Sequence, residues 1–172
     1  MIYYTSDLHF GHTNIIRYEN RPYKDVEEMT VGLVNNWNKV VKQNDDVYVL
    51  GDFAFKCGKL SVDDINSIVK SLNGKKHLII GNHDLWINSV DFKSKLWEEV
   101  TYYKEIKDNG YDVVLMHYPL ESWNKGEYGT IHLHGHLHSN PTKINIKNRY
   151  NVGCDNWNLF PVTLKQILNK KG

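Results

Sequence analysis

Five short polar motifs, each placed directly after a stretch with the pattern of a β-strand, constrain the fold of this chain more than any other feature. They are Asp7-Leu8-His9, Gly51-Asp52, Gly81-Asn82-His83-Asp84, Met116-His117 and Gly135-His136-Leu137-His138. Open α/β sheets bind their ligands in the crevice outside the carboxyl ends of the strands, where side chains on such loops converge. We therefore expect an α/β fold in which the five motifs meet at one site.

The first half of the chain alternates patterns typical of strands and of helices. Apolar and β-branched runs predict three strands, at residues 2–6, 46–50 and 77–80. Apolar residues at helical spacing predict three helices, at residues 14–20, 25–42 and 61–72. Asp25 and Ser61 are suitable N-caps, because an acidic residue follows each of them three positions later. The order β-α-β-α-β favours parallel strands covered by helices.

The second half of the chain is rich in predicted strands. They are expected at residues 100–106, 111–116, 130–135 and 144–152, and a last helix is expected at residues 163–169. Asp108-Asn109-Gly110 marks a hairpin turn. For 172 residues, we expect one domain that spans residues 1–172. The predicted architecture is two β-sheets packed face to face, with helices outside.

Side chains that bind metal ions dominate the five motifs. Together they offer two carboxylates, one amide and four imidazoles, from Asp7, His9, Asp52, Asn82, His117, His136 and His138. If the preceding strand continued through them, Asp7 and His9 would share one face. The same alternation would direct His136 and His138 one way and Leu137 into the core. Each motif can therefore present its ligands together.

The donor set favours two transition-metal ions. Oxygen and nitrogen ligands without thiolates suit Mn, Fe, Zn, Co or Ni better than Mg or Ca. Seven donors are too many for one tetrahedral zinc ion, but they suit two ions about 3.5–4 Å apart, which the Asp52 carboxylate can bridge. Such a pair lowers the pKa of bound water from about 15.7 toward about 7, and the resulting hydroxide is a nucleophile. We expect two divalent or trivalent ions, manganese first, with iron, zinc, nickel or cobalt as alternatives.

Charge and composition exclude several other classes of protein. The net charge is only +1, so overall charge does not hold the chain to nucleic acid. No apolar run exceeds four residues, which argues against a membrane span. The first predicted strand begins at Ile2, which leaves no room for a signal peptide. Two cysteines are too few for a disulfide framework. A cytoplasmic location is therefore expected.

The motif series resembles that of the calcineurin-like metallophosphoesterase superfamily. The matching pattern is Asp-x-His, Gly-Asp, Gly-Asn-His-Asp, His and Gly-His-x-His, in this order over residues 7–138. The opening segment 5–16 and the late Asn151-Val152-Gly153-Cys154-Asp155 resemble a compact bacterial and phage-type branch of predicted phosphoesterases. The resemblance implies a four-layer sandwich of two mixed β-sheets flanked by helices.

The resemblance also implies a role for each motif residue. The first metal ion would be held by Asp7, His9 and His138. The second would be held by Asn82, His117 and His136. Asp52 would bridge the two ions. His83 would stand over the substrate phosphate and protonate the leaving oxygen or stabilise the transition state, and Asp84 would orient the His83 ring.

Other residues are candidates on weaker grounds. His12, Arg17 and Arg21 follow the first motif and are expected to contact the substrate, since an arginine can hold a phosphate bidentately. The alternative for both arginines is a solvated surface charge. For Asp155 we favour a loop-forming role over a place at the rim of the site.

These observations predict a di-metal phosphoesterase that hydrolyses a phosphomonoester or phosphodiester by direct attack of a metal-bridging hydroxide. The expected partner is a small phosphorylated substrate, with cyclic and terminal nucleotides as candidates; neither a membrane nor a stable nucleic-acid complex is expected. The oligomeric state is not predicted. The alternatives are a non-catalytic scaffold that retains the fold and a metal-dependent nuclease. The complete ligand series argues against the first, and the near-zero net charge argues against the second.

Overall fold

Two four-stranded β-sheets form the framework of the protein, in a computed structural model that describes residues 1–55, 60–142 and 144–170. The first sheet has the order β1 (Ile2–Thr5), β2 (Asp46–Val49), β3 (Lys75–Ile79) and β4 (Glu99–Thr101). All of its neighbouring strands run parallel. Their carboxyl ends therefore lie along one edge, as the alternation of strands and helices predicts.

Three helices connect these strands: α1 (Thr13–Tyr18), α2 (Val26–Val40) and α3 (Val62–Ser71). The side chain of Asp25 caps α2 by accepting a hydrogen bond from the Glu28 amide, and Ser61 and Asp64 form a capping box at the start of α3. Both predicted caps are confirmed. The apolar faces of these helices bury side chains against the outer face of the first sheet; this cluster includes Met29, Leu33, Trp37, Val47, Val49, Ile65 and Leu78.

The second sheet has the order β5 (Tyr103–Asp108), β6 (Tyr111–Met116), β7 (Ile131–His134) and β8 (Arg149–Asn151). It is mixed, because β5 and β6 are antiparallel and the other pairs are parallel. Asn109 and Gly110 both have positive φ in the tight turn between β5 and β6, which confirms the predicted hairpin. The last helix, α4 (Leu164–Asn169), begins with the capping box of Thr163 and Gln166.

A second apolar cluster lies between the two sheets. Tyr4 and Leu50 of the first sheet region pack in it with Leu115 and Leu133 of the second sheet, and Leu164 of α4 closes it. All five side chains are fully buried, so the burial of apolar surface holds the two sheets together. The predicted fold class, an α/β sandwich of two sheets with flanking helices, is confirmed.

Three details differ from the prediction. Residues 100–106 are not one strand: the chain leaves β4 of the first sheet, passes Tyr102 and enters β5 of the second sheet. The run contains no glycine or proline, so its sequence does not mark this crossing. Of the predicted strand 144–152, only β8 pairs in the sheet. The named strands of the first sheet are parallel throughout, as the β-α-β-α-β order favours, whereas the resemblance implies two mixed sheets.

The outer face of the second sheet is covered in part by the loop 118–130. The buried His132 ring on that face accepts a hydrogen bond from the Leu120 amide and lies 5.2 Å from the Trp123 ring. Burial lowers the pKa of His132 to about 4, so this ring is a neutral part of the packing. Among the described helices, none is long and apolar enough to cross a membrane.

Candidate metal centre

The loops after the strands meet because their backbones are hydrogen-bonded to one another. The amides of Asp7 and His9 donate to the carbonyls of Gly51 and Asp52, each at 3.0 Å. The Gly135 amide donates to the His117 carbonyl at 2.9 Å. These bonds extend the parallel pairing beyond the strand ends, and they bring side chains from distant parts of the sequence to one edge of the sandwich.

Five of the seven candidate ligands adopt left-handed backbone conformations. Their φ angles are 58° for Asp7, 53° for His9, 54° for Asp52, 70° for His136 and 50° for His138. Such conformations are disfavoured for residues with a Cβ and cluster at functional sites. The expected strand continuation through Asp7 and His9 is therefore wrong, since β1 ends at Thr5. Likewise, Leu137 is half-exposed and does not enter the core.

One group of ligand atoms is formed by the first and last motifs. Asp7, His9 and His138 each offer an atom, and all of these atoms lie within 4.8 Å of one another. The rings of His9 and His138 are stacked at 5.0 Å between centroids. His138 Nε2 lies 4.0 Å from Asp7 Oδ1. This is the set that the resemblance implies for the first metal ion.

A second group shares a carboxylate with the first. Asp7, Asp52 and His117 also bring their ligand atoms within 4.8 Å of one another. Asp52 Oδ2 lies 3.6 Å from His9 Nε2 and 3.5 Å from His117 Nε2. The Asp52 carboxylate thus stands between the two sides of the site, and Asp7 reaches both of them.

The other two candidates for the second ion lie at the outer rim. Asn82 Oδ1 is 3.0 Å from His117 Nε2, so amide and imidazole point at the same space. The exposed His136 ring lies 5.2 Å from the His117 ring, centroid to centroid. Its nitrogens belong to none of the three tight groups found among the described residues, the third of which is Glu19, His138 and Asp155.

Burial controls the electrostatics of the centre. It raises the pKa of Asp7 to about 7 and also raises the pKa of Asp52. It lowers the pKa of His9 and the pKa of His117. Neutral imidazoles are the form in which histidine binds metal ions. Two buried carboxylates side by side require cationic partners to remain ionised.

The His9 ring provides a direct test of whether the site fits metal ions. Its side chain is only 2% exposed, and neither ring nitrogen has a hydrogen-bond partner in the described structure. An imidazole buried without partners costs free energy unless something else binds it. One ligand atom from each of Asp7, His9 and His138 lies within 4.8 Å of the other two. The residues present therefore fit a transition-metal ion.

Two glycines allow the motifs to approach closely. A Cβ atom on Gly135 would collide with Ser6 Oγ and lie 2.5 Å from Asp7 Oδ2, and one on Gly81 would collide with the Asp52 carboxylate. Because both collisions involve candidate ligands or their neighbour, the glycines in these motifs are required for the ligands to meet.

His83 stands at the mouth of the site. Its amide donates to Asp52 Oδ1 at 2.8 Å, which fixes the residue beside the central carboxylate. Its half-buried ring lies 5.3 Å from the His9 ring and 5.0 Å from Phe55, centroid to centroid. The ring is thus directed toward the metal ligands without belonging to their groups.

Asp84 does not make the contact that the resemblance implies. Its carboxylate is fully buried and accepts four hydrogen bonds, from the amides of Gly81, Asp52 and Phe53 and from Trp86 Nε1. The His83 ring is not among these donors. The prediction that Asp84 orients this ring is therefore wrong; the carboxylate instead joins the loop of the second motif to that of the third.

Arg21 also differs from its prediction as a substrate contact. The residue is 5% exposed, and its guanidinium donates to both carboxylate oxygens of Asp155, at 2.7 and 3.1 Å. It further donates to the carbonyls of Asp7 and Leu8. All of these acceptors belong to the protein, so Arg21 is a buried structural cation that supports the first motif.

Asp155, for which the sequence favours a loop-forming role, contacts a candidate metal ligand in the structure. Its Oδ2 lies 2.9 Å from His138 Nδ1. Burial lowers the pKa of His138, but the hydrogen bond from its ring to Asp155 and the charge of Asp7 more than offset this, so the pKa is raised overall. A carboxylate on the far nitrogen of a ligating histidine fixes the orientation and basicity of the ring. The late Asn151-Val152-Gly153-Cys154-Asp155 motif is the signal in the sequence that could have identified it.

Replacing Asp155 with asparagine is expected to lower the affinity for the metal ion held by Asp7, His9 and His138 by about 10–100-fold. The loss follows because the neutral side-chain amide of the variant replaces the charged carboxylate that holds the His138 ring. Titration of metal-free protein with Mn²⁺ measures it. Asp46→Asn is a matched control, since Asp46 pairs with the ring of His77 at 2.9 Å away from the five motifs. Equal Mn²⁺ affinity in the wild type and Asp155→Asn would contradict this role.

The other two predicted substrate contacts lie near the first motif. The half-buried His12 ring is stacked on Phe55 at 4.0 Å and lies 5.4 Å from the His9 ring, between centroids. Arg17 is exposed on α1, with its guanidinium 5.4 Å from the centre of the Tyr18 ring. His12 therefore lies at the rim of the site, and both residues stay predictions as substrate contacts.

Comparison with known proteins yields relatives over most of the chain. No family model matches it. The uncharacterized protein MJ1445 of Methanocaldococcus jannaschii is 38% identical over 172 residues, which cover 97% of this chain and 89% of that protein. The gene 66 protein of Mycobacterium phage L5 is 30% identical over 183 residues, which cover 90% of this chain and 86% of that protein.

Solved structures match the fold. The crystal structure of AQ665, a protein of unknown function from Aquifex aeolicus, has a TM-score of 0.73, with 25% identity over 97% of both chains. The nuclease MPE of Pseudomonas putida has a TM-score of 0.52, with 19% identity over 80% of this chain and 61% of that one. The chain therefore belongs to the same family as MJ1445 and the phage L5 gene 66 protein, and it shares its fold with AQ665 and with the nuclease MPE, in agreement with the fold that the resemblance implies.

Proposed function

We propose that this protein is a phosphoesterase that uses two transition-metal ions, manganese first among them, to hydrolyse a phosphomonoester or a phosphodiester. The observation that carries the proposal is the pair of ligand groups that share Asp7, with the Asp52 carboxylate placed between them. In two-metal sites, a pair of cations acidifies water into a nucleophile and neutralises the charge that develops on the phosphoryl group.

The residues of the chain divide the remaining work. Asp7, His9 and His138 hold one ion; Asn82, His117 and His136 hold the other. Asp52 contacts both sides and also accepts the hydrogen bond from the His83 amide. This bond fixes the backbone of His83 relative to the centre, so that its ring can donate a proton to the leaving oxygen. The Asp84 carboxylate accepts hydrogen bonds from the amides of Asp52 and Gly81, and so it holds the loops of the second and third motifs together.

A hydrolysis assay tests the proposal. Purified protein loaded with Mn²⁺ is expected to release p-nitrophenol from p-nitrophenyl phosphate or from bis-p-nitrophenyl phosphate, and chelation of the metal should abolish the release. A single-stranded oligonucleotide in the same assay separates a nuclease from an esterase for small substrates. Protein with two bound ions that leaves all three substrates intact would favour the non-catalytic scaffold.

Asp52→Asn is expected to reduce metal content and activity together. The substitution keeps the shape of the side chain and an oxygen for the His83 amide, but it removes the negative charge between the two ligand groups. Loss of a residue that only supports a metal ligand typically lowers activity by about 10–100-fold. We expect the loss of activity in Asp52→Asn to exceed this range. Metal analysis and the assay above measure both effects.

Asp63→Asn provides the control for this experiment, because the Asp63 side chain is 70% exposed on α3. Two ions per chain at normal occupancy in Asp52→Asn, with full activity, would contradict the position given to this carboxylate.

A further inference from the structure

A pocket with aromatic walls lies beside the candidate metal centre. Its volume is 210 Å³, and Leu85, Ile87, Tyr102 and Tyr118 contribute to its walls. Asn82, a candidate ligand of the second ion, lines the same pocket. The pocket and the metal centre therefore share a wall, and a molecule bound at one of them can extend into the other.

The Tyr118 ring also connects the pocket with the metal centre. The ring lies 5.0 Å from that of His117 and 4.8 Å from that of His136, centroid to centroid. Both histidines are candidate ligands of the second ion. The pocket thus adjoins the side of the centre that they form, away from the stacked rings of His9 and His138.

The walls of the pocket expose large apolar side chains. Leu85 is 61% exposed, Tyr102 is 66% exposed and Tyr118 is 40% exposed. Apolar side chains gathered in one place on a surface mark binding sites, whereas scattered ones do not. Three of them converge on this cavity from separate segments of the chain, after the third motif, between β4 and β5, and after the fourth motif.

The charge of the pocket favours a neutral occupant. No lysine or arginine is found among the described residues that line it, so a second phosphate would meet no cationic partner. Asp84 is the one acidic residue among the described residues that line it, and its buried carboxylate oxygens already accept four hydrogen bonds from the protein. The exposed amide of Asn88 and the hydroxyls of Tyr102 and Tyr118 supply polar contacts for the edge of an uncharged ring.

The size of the pocket limits the occupant further. Its 210 Å³ is below the roughly 300–1,000 Å³ of sites that enclose a drug-sized ligand. A single ring system fits this volume better than a whole nucleotide does. Aromatic side chains bind such rings by stacking, with little dependence on which base is present.

We infer that this pocket binds the base of a nucleotide whose phosphate is held at the metal centre; the inference rests on the proposed function. The substrate class is then a nucleoside phosphoester, and Tyr102 and Tyr118 give it preference over phosphorylated sugars. Stacking of one base contributes about 5- to 150-fold in affinity.

The test compares two ligands that differ only in the base. Isothermal titration of Mn²⁺-loaded protein uses the methylene phosphonate analogues of AMP and of ribose 5-phosphate, which resist hydrolysis. The wild type is expected to bind the AMP analogue at least about fivefold more tightly. This ratio should approach one in Tyr102→Ala or in Tyr118→Ala and should be restored in the corresponding phenylalanine variant.

Tyr128→Ala is the matched control, because Tyr128 is 88% exposed and does not line the pocket; it should keep the wild-type ratio. A ratio near one in the wild type, or a ratio unchanged in both alanine variants, would overturn the inference. Base-dependent binding by a protein that leaves AMP and all three substrates of the hydrolysis assay intact would defeat the proposed function and leave the pocket standing. Equally efficient hydrolysis of AMP and ribose 5-phosphate would defeat the inference about the pocket and leave the proposed function standing.

Discussion

His83→Ala is expected to lower kcat by about 10²–10⁴-fold, the range that a positioned general acid contributes. The His83 ring lies at the mouth of the site and belongs to neither group of ligand atoms. Its loss therefore removes the proton donor for the leaving oxygen but leaves the ions in place. The measurement is steady-state hydrolysis of p-nitrophenyl phosphate, with metal content determined on the same sample.

The matched control for this variant is His77→Ala, because His77 is a half-buried histidine that pairs with Asp46 and stacks on Tyr48, away from the metal ligands. It should retain wild-type kcat. Hydrolysis of a substrate with a better leaving group should be slowed less in His83→Ala, since its leaving oxygen needs less protonation. An unchanged kcat in His83→Ala with two bound ions would remove the role of this ring.

Arg21→Met is expected to destabilise the fold by about 3–5 kcal/mol, the usual consequence of removing one partner of a buried ion pair. Asp155 would be left as a buried carboxylate without its bidentate partner, and the carbonyls of Asp7 and Leu8 would lose a donor. Urea unfolding of metal-free protein, in the presence of a chelator, measures the free energy of unfolding apart from metal binding.

Arg17→Met gives the contrast, because Arg17 is exposed on α1, four residues before Arg21, and its replacement should change stability by less than about 0.5 kcal/mol. If Arg21→Met unfolds at the wild-type urea concentration but binds phosphate less tightly, Arg21 is a substrate contact, and the structural role given to it here is wrong.

The sequence was sufficient to predict the fold and most of its elements because local signals and burial agree there. The caps at Asp25 and Ser61 and the turn at Asn109-Gly110 are all found in the structure. Such signals act within a few residues, so they can be read directly from the chain. The crossing at Tyr102 carries no such signal and was missed.

The candidate site was predictable in its members but not in its geometry. The motif residues come together, yet five of them do so in left-handed conformations that strand alternation does not predict. The Asp84 carboxylate binds amides that belong to two motifs, and Arg21 reaches Asp155 across 134 positions of sequence. Contacts of this range depend on the folded chain, and residue types and spacing alone do not specify them.

Anomalous diffraction from crystals grown with Mn²⁺ tests the central claim most directly. The account predicts two peaks in each protein molecule, one beside Asp7, His9 and His138 and one beside Asn82 and His117, with the Asp52 carboxylate between them. A single peak, or none next to Asp52, would contradict the two-metal centre on which the proposed chemistry depends.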